Sequence, residues 1–330
     1  MQIAVVIPVF NRAEFLERAI RSVLAQTSPP SEIVIVDDGS TDDLSASRSL
    51  VESRGGLFLR QEHQGVSAAR NLGVRRTIAP WVAFLDSDDL WLPEKLEKQS
   101  ALHRDNPNIS VSQCEERWFR RGLRVNKRRY HQMAAGSCFS RCVERCLISP
   151  SSVVVERRLF DEIGGFDEFL PVCEDYDLWL RITSAHAIGY LDEELVVKNG
   201  GHADQLSSSR SGFDRFRIYS LLKLLLSEEL NENEQAITGE AIRIKAAILR
   251  KGAKKHDGTS ASFYGELERA FLPSTRGTLT SVDIRGLLEM LKEIIEGQER
   301  SNALHKTVAL TGSFFSHESS SSGRGNRGVY

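Results

Sequence analysis

Ile33-Val34-Ile35-Val36-Asp37-Asp38-Gly39-Ser40-Thr41-Asp42 is the stretch on which the fold turns. A run of β-branched residues cut short by acids and a glycine is the pattern of a strand buried on both faces of a parallel sheet and stopped at its carboxyl end. Upstream, Ile3 to Val9 has the same nearly continuous apolar character. Between the two, Phe15, Leu16, Ala19, Ile20, Val23 and Leu24 recur at helical spacing until Pro29-Pro30 bars further helix. Downstream, Leu57-Phe58-Leu59 predicts a third strand and Ser67 through Thr77 a helix. Trp81 to Leu85 predicts another strand, closed by Asp86-Ser87-Asp88-Asp89, and Pro93 opens the next helix. Strands and helices alternating on short links imply right-handed crossovers and a doubly wound, mostly parallel α/β sheet flanked by helices. Ligands of such sheets sit outside the carboxyl ends of the strands, so both acidic clusters should share one crevice.

The rest of the chain is less regular. Ser152 to Val155 reads as a return to strand before Gly164-Gly165-Phe166-Asp167, and Glu174 to Ile182 as a helix. From Phe213 to about Gly297 the pattern is mostly helical, with breaks near Gly258 and Pro273. The 330 residues are 41% apolar, enough for a full-sized core, which excludes a disulfide-stapled miniprotein, a collagen and a wholly disordered chain. Lys and Arg number 43 against 45 Asp and Glu, a net charge of -2, so no global field draws the chain to nucleic acid or membrane. Such a partner must be met by a local patch. Met1 to Pro8 lacks a basic leader and is far shorter than the roughly 18 residues of a spanning helix. Cys114, Cys138, Cys142, Cys146 and Cys173 are odd in number and scattered, which fits free thiols in a reducing compartment. The expected location is therefore cytoplasmic, with a peripheral position at the inner face of the membrane as the alternative that a local patch would allow.

Asp86-Ser87-Asp88 places two carboxylates two residues apart beyond a strand end, where both can point into one cleft. A cation or a hydrogen-bonded sugar makes that proximity tolerable, and hard oxygen ligands select Mg²⁺ or Mn²⁺ over zinc. The pair stands in an ordered series: Val5 to Arg12 around Pro8-Val9-Phe10-Asn11, then Asp37 to Asp42, Gly65 to Gly73, Phe84 to Asp89, Gly164 to Asp167, and Glu174-Asp175-Tyr176-Asp177-Leu178. In this series the sequence closely resembles family 2 of the glycosyltransferases, the inverting group with the GT-A fold, from residue 1 to about residue 205.

The resemblance implies a role for each motif. Pro8, Phe10 and Asn11 with the first acidic cluster would frame the base and ribose of a nucleotide, either Asp37 or Asp38 meeting the base, with Asp38 favoured. Arg70 and Asn71 match positions near the nucleotide. Asp88 would ligate the metal, Asp86 would face ribose or metal, and the divalent ion would stabilise charge developing on the leaving diphosphate. Asp175, with Glu174 beside it, would take the proton of the attacking hydroxyl. Residues 200–207, which include His202, match a mobile loop that closes over the donor, where His202 would touch the metal or diphosphate. The implied organisation is a GT-A domain over 1–210, in which residues 1–106 bind the nucleotide and residues 107–210 face the acceptor. A helical C-terminal region 211–300 and a largely disordered tail 301–330 follow. The implied function is metal-dependent, inverting transfer of a sugar from a nucleoside-diphosphate donor to a glycan or lipid-linked hydroxyl acceptor, as in cell-surface polysaccharide synthesis.

Three further features have competing readings. Arg117, Arg120, Arg121, Arg124, Lys127, Arg128 and Arg129, interleaved with Trp118 and Phe119, form either a solvated hairpin or loop, or a patch for an anionic membrane surface or a phosphate-bearing acceptor. RNA binding by cations and stacking is a weaker alternative. Cys138, Cys142 and Cys146, spaced by four, would line one side of a helix; buried apolar thiols are the expectation and a zinc site with His131 the alternative. Phe213 to Leu226 is too short and too charged to span a bilayer and should pack on the sheet domain or another subunit, with an in-plane membrane helix as the alternative. Against the transferase stand a sugar nucleotidyltransferase, whose glycine-rich first loop is absent here, and a non-catalytic nucleotide-sugar or anionic-surface adaptor, which intact Asp86, Asp88 and Asp175 disfavour.

Overall fold

The computed structural model describes residues 1–127, 131–201, 212–227, 229–256, 260–272 and 279–318, with side chains up to residue 300. β1 (Ile3–Val9), α1 (Ala13–Leu24), β2 (Glu32–Asp37), α2 (Ser45–Glu52), β3 (Leu57–Arg60), α3 (Val66–Arg75) and β4 (Trp81–Phe84) alternate as expected. β1 lies between β2 and β4 and is parallel to both, and β3 is parallel to β2. All of β1 is buried, which is why it shows no polar alternation. Pro8 sits in β1 opposite Val36, beyond the stretch that pairs with β4, so its missing N–H costs no bond on that side.

Past β4 the doubly wound sheet takes in antiparallel strands. With β5 (Leu90–Trp91), β6 (Val111–Arg120), β7 (Leu123–Val125), β8 (Val154–Glu156) and β9 (Gly189–Gly200), the order is β3-β2-β1-β4-β8-β6-β9-β5, and β7 is hairpinned to β6. β8 runs antiparallel to both β4 and β6, β9 parallel to β6, and β5 antiparallel to β9. Strand direction depends on which partner the chain returns to, a choice that apolar runs do not record.

The helices α4 (Lys95–Asp105), α5 (Phe139–Glu144), α6 (Arg157–Ile163) and α7 (Glu174–Thr183) follow, and Pro93 precedes α4 rather than opening it. α8 (Asp214–Leu225), α9 (Glu232–His256), α10 (Ala261–Ala270) and α11 (Ser281–Glu318) form the C-terminal region. Phe216, Leu221, Leu222, Leu267 and Leu291 belong to one continuous core with Phe84, Phe160 and Trp179, so this region packs directly on the sheet domain. Tyr219 stacks on Phe169 at 4.9 Å between ring centroids. The apolar residues of α8 are thereby buried against protein, which replaces the in-plane membrane reading. Among the described residues no helix is long and apolar enough to cross a membrane.

α11 runs to Glu318, into the stretch expected as tail; the run through Ala303, Leu304, Val308, Ala309 and Leu310 carries no proline. The polar segment after it lies outside the described residues, as do Gly258 and Pro273. The three spaced cysteines do not share a helix, since α5 starts after Cys138 and ends before Cys146. Cys138 and Cys142 are buried thiols 3.9 Å apart, and no cluster of three metal-ligating side chains occurs among the described residues.

Candidate active site

The loops after β1, β2 and β4 are stitched together by side chains from one another. Asn11 adopts a left-handed φ of 52°, a conformation that asparagine tolerates better than most residues. Its amide donates to Ser40 Oγ at 2.9 Å and its side-chain carbonyl accepts from the Thr41 amide at 2.7 Å. Asp37 and Asp38 are both buried and both engaged. Asp37 accepts from the Ser40 amide (2.8 Å) and from Arg60 Nη1 (2.6 Å). Asp38 accepts from the Gln64 and Gly65 amides, both at 2.9 Å, and from Gln61 Nε2 at 2.7 Å, with His63 Nδ1 at 2.8 Å. Asp38 thus organises the turn that launches α3, and a nucleotide base would reach it only by displacing Gln61 or His63. Phe10 is 41% exposed and stacked on His63 at 4.0 Å, leaving an open aromatic face beside this turn.

Beyond β4 every acid of the 86–89 cluster has a cation. Arg12, just after β1, donates to Asp88 Oδ2 at 2.7 Å. Lys198 from β9 reaches Asp89 at 3.1 Å and Asp86 at 3.8 Å. Asp89 also accepts from Ser151 Oγ and the Asn199 amide, and Asn199 Nδ2 donates to the Asp88 carbonyl. Burial raises the Asp89 carboxyl to about 7, with Asp88 and Asp86 adding to the rise and Lys198 opposing it. Burial also works against charge on Asp86, yet Arg70 and Lys198 outweigh it and hold that carboxyl below its ordinary range.

Arg70 joins the two acidic motifs. It is on α3, its side chain 4% exposed, and it donates to Asp86 Oδ1 at 2.6 Å and to Glu174 Oε1 at 2.7 Å. Its guanidinium carbon stands 5.0 Å from the centre of the Phe166 ring. Glu174 and Asp175 open α7, where the helix dipole favours negative charge. The residue before them, Cys173, is held at a left-handed φ of 63°, a strained entry for a non-glycine residue. Burial first, and then the neighbouring Asp175, raise the Glu174 carboxyl to about 7 against the pull of Arg70. Asp175 is half-buried; its Oδ2 accepts from the Cys146 thiol at 3.4 Å. Burial and then the Asp175 charge push that thiol well above its ordinary value, so it stays a donor.

The sequence-predicted residues therefore fall into three groups. Pro8, Phe10, Asn11, Asp37, Asp38, Arg70, Asp86, Asp88, Glu174 and Asp175 lie along the carboxyl edge of β1, β2 and β4 and the facing start of α7. Asn71 does not. It turns to the 164–168 loop, where its side chain donates to the Phe166 carbonyl and Glu168 and accepts from the Phe166 amide. A Cβ on Gly165 would come within 2.8 Å of Asn71 Oδ1, which explains a glycine at that close approach. His202 lies outside the described residues. Arg12, His63, Cys146, Lys198 and Asn199 join the site without having been singled out for it. Arg12 closes a recognised motif, whereas Lys198 and Asn199 carry no local signal and are brought in by the β6–β9 pairing.

The family model for glycosyl transferase family 2 matches residues 4–152. A glycosyltransferase of Rickettsia conorii is 35% identical over 195 residues, which are 59% of this chain and 32% of that protein, so this chain spans about a third of that relative's length. A glycosyltransferase of Rickettsia prowazekii is 30% identical over 242 residues, 69% of this chain and 74% of that protein. S. aureus TarS 1-349, solved in complex with UDP, has the same fold, with a TM-score of 0.64 over 91% of this chain and 92% of that one at 18% identity. The sheet and its helices are thus the GT-A architecture, and the chain belongs to glycosyl transferase family 2.

Proposed function

We propose that the carboxyl edge of β1, β2 and β4 binds a nucleoside-diphosphate sugar and that the protein transfers the sugar, with inversion, to a hydroxyl acceptor. The observation that carries this reading is Arg70. One buried guanidinium holds Asp86 of the strand-end cluster and Glu174 of the helix-start pair, so carboxylates about ninety residues apart in sequence face one space. The complexes of S. aureus TarS with UDP and with UDP-GlcNAc support a uridine donor as the first choice. The open Phe10 face beside the Asp38 turn suits a base, and Arg60, His63 and Gln61 offer polar groups around it.

The donor set fits Mg²⁺ or Mn²⁺. The described residues offer carboxylate oxygens on Asp86 and Asp88 but no cluster of three ligating side chains, and a magnesium-like ion takes one or two carboxylates and completes its shell with phosphate oxygens and water. When bound there with the donor, such an ion stabilises the charge that develops on the leaving diphosphate. Asp88, held only through Arg12 among the described side chains, is the residue best placed to turn to it, with Asp86 beside it. His202 remains a proposed contact of the metal or diphosphate.

Asp175 takes the proton from the acceptor hydroxyl as its oxygen attacks the anomeric carbon from the face opposite the diphosphate. Glu174, locked to Arg70, holds the start of α7 against the cluster and keeps Asp175 in register. Direct displacement needs one base and no placed nucleophile, which matches a single half-buried carboxylate at that position. The acceptor is a glycan or lipid-linked sugar of cell-surface polysaccharide synthesis. Asp175→Asn tests the assignment. UDP should bind as in the unaltered protein while transfer falls about 10²- to 10⁴-fold; full turnover in that variant would remove Asp175 as the base.

A further inference from the structure

Most of the cations in the β6–β7 region are already paired within the protein. Arg117 Nε donates to Glu194 at 2.9 Å, Arg124 Nη2 reaches the same carboxylate at 2.8 Å, and Lys127 pairs with Glu115 and Glu116. Of the two aromatic rings that interleave them, that of Trp118 is also occupied. The Trp118 indole donates to Glu116 at 2.8 Å, Lys127 lies 5.3 Å above its ring, and His131 packs 5.1 Å from it. The Trp118 ring is therefore no free platform for unstacked bases, which weakens the RNA alternative. Arg128 and Arg129 lie outside the described residues.

What faces outward is the hairpin tip, Arg120-Arg121-Gly122-Leu123, every residue of it exposed. Arg120 pairs with Leu123, leaving a two-residue turn with φ of 52° at Arg121 and 76° at Gly122, the tight form that fits the twist of a hairpin. Leu123 is 73% exposed at the apex. Among the described residues neither Arg120 nor Arg121 meets a carboxylate. The turn is fixed to the site, because Arg120 lies opposite Gly200 and the Arg121 amide donates to the Gly200 carbonyl at 3.1 Å. One residue back, about 3.3 Å along the strand, Asn199 holds Asp88 and Asp89.

We propose that this tip seats the protein on an anionic lipid bilayer, with Arg120 and Arg121 on lipid phosphates and Leu123 in the interfacial layer. A guanidinium pair flanking one apolar side chain is complementary to a bilayer surface, where charge and a shallow apolar layer lie together. The net charge of -2 supplies no global attraction, so contact rests on a local patch, and a bilayer engaged at this tip lies beside the carboxyl edge of the sheet, where it would present acceptors carried on that surface. Only this last clause rests on the transferase reading.

Co-sedimentation of the full chain with vesicles tests the docking. The protein should sediment with phosphatidylcholine vesicles containing phosphatidylglycerol, less so as salt rises, and stay in solution with phosphatidylcholine alone. The double variant R120E/R121E should bind the anionic vesicles at least about tenfold more weakly, and Leu123→Ser should also bind less, while both keep UDP affinity unchanged as the measure of an intact fold. Equal sedimentation of R120E/R121E and the unaltered protein, no preference for anionic vesicles, or displacement of the protein from them by oligouridylate would overturn the proposal. If UDP binds and vesicles do not, the docking alone fails; if vesicles bind and UDP does not, the transferase reading alone fails.

Discussion

Replacing Arg70 by methionine removes the charge that joins the two acidic motifs while keeping most of the side-chain volume. The guanidinium is 4% exposed and bonded to two carboxylates, so its loss leaves Asp86 and Glu174 facing one another without their shared cation. Breaking a buried pair by removing one partner costs about 3–5 kcal/mol. Lys198 still lies 3.8 Å from Asp86, which places the expectation at the lower end. The cost should depend on pH. Glu174 titrates near 7 in the folded protein, above its ordinary 4.5, so its ionisation already subtracts stability as pH rises through that interval. Without Arg70 the carboxyl is raised further. At pH 6 Glu174 is mostly protonated with or without Arg70 and the two forms differ little through it. At pH 8 it must ionise in the unaltered protein but stays protonated in the variant, adding about 1 kcal/mol to the variant's deficit. Thermal unfolding followed by circular dichroism at the two pH values measures this. At about 1.4 °C per kcal/mol for a chain of 330 residues, the variant should melt roughly 4 °C lower at pH 6 and about 1–2 °C lower again at pH 8. A deficit under about 2 °C, or one that shrinks as pH rises, would refute the bridging role.

Other consequences are as direct. Cys146→Ala removes the thiol that donates to Asp175 Oδ2 at 3.4 Å and should lower the transfer rate with UDP affinity unchanged, and Cys146→Ser should restore it; an unchanged rate in both leaves the thiol without influence on the base. Phe10→Ala takes away the open aromatic face and should weaken UDP binding roughly tenfold, read by calorimetry, with unchanged affinity counting against base stacking there. Gly73→Ala places a Cβ 2.3 Å from Val6 Cγ1, where α3 crosses β1, and should cost about 1–3 kcal/mol in denaturant unfolding. A variant as stable as the parent would show that α3 can lift from the sheet freely.

The first half of the fold was legible because β1, β2 and β4 are buried on both faces and so advertise themselves as apolar runs ended by acids. β9 was not, since Asp192, Glu193, Glu194 and Lys198 interrupt it and register shifts at Cys114, Glu115 and Glu116 break its match with β6. That same strand delivers Lys198 and Asn199 to the cluster, so the portion of the site hidden from sequence is the portion carried by the hidden strand. Arg70 and Asn71 part for a related reason: neighbours on a helix point about 100° apart, so Arg70 bonds to Asp86 and Glu174 while Asn71 bonds to the 164–168 loop. The basic stretch looked uniform in sequence, and only the positions of Glu115, Glu116 and Glu194 separate its neutralised members from Arg120 and Arg121.

Calorimetric titration of UDP into the protein with Mn²⁺, with chelator, and into Asp88→Asn with Mn²⁺ measures the central claim directly. Binding should require the ion and should fall at least about tenfold in the variant, since the carboxylate that would hold the ion beside the diphosphate is gone. Equal affinity under all three conditions would contradict a metal at this cluster, and no binding under any of them would contradict a nucleotide site at the carboxyl edge of the sheet.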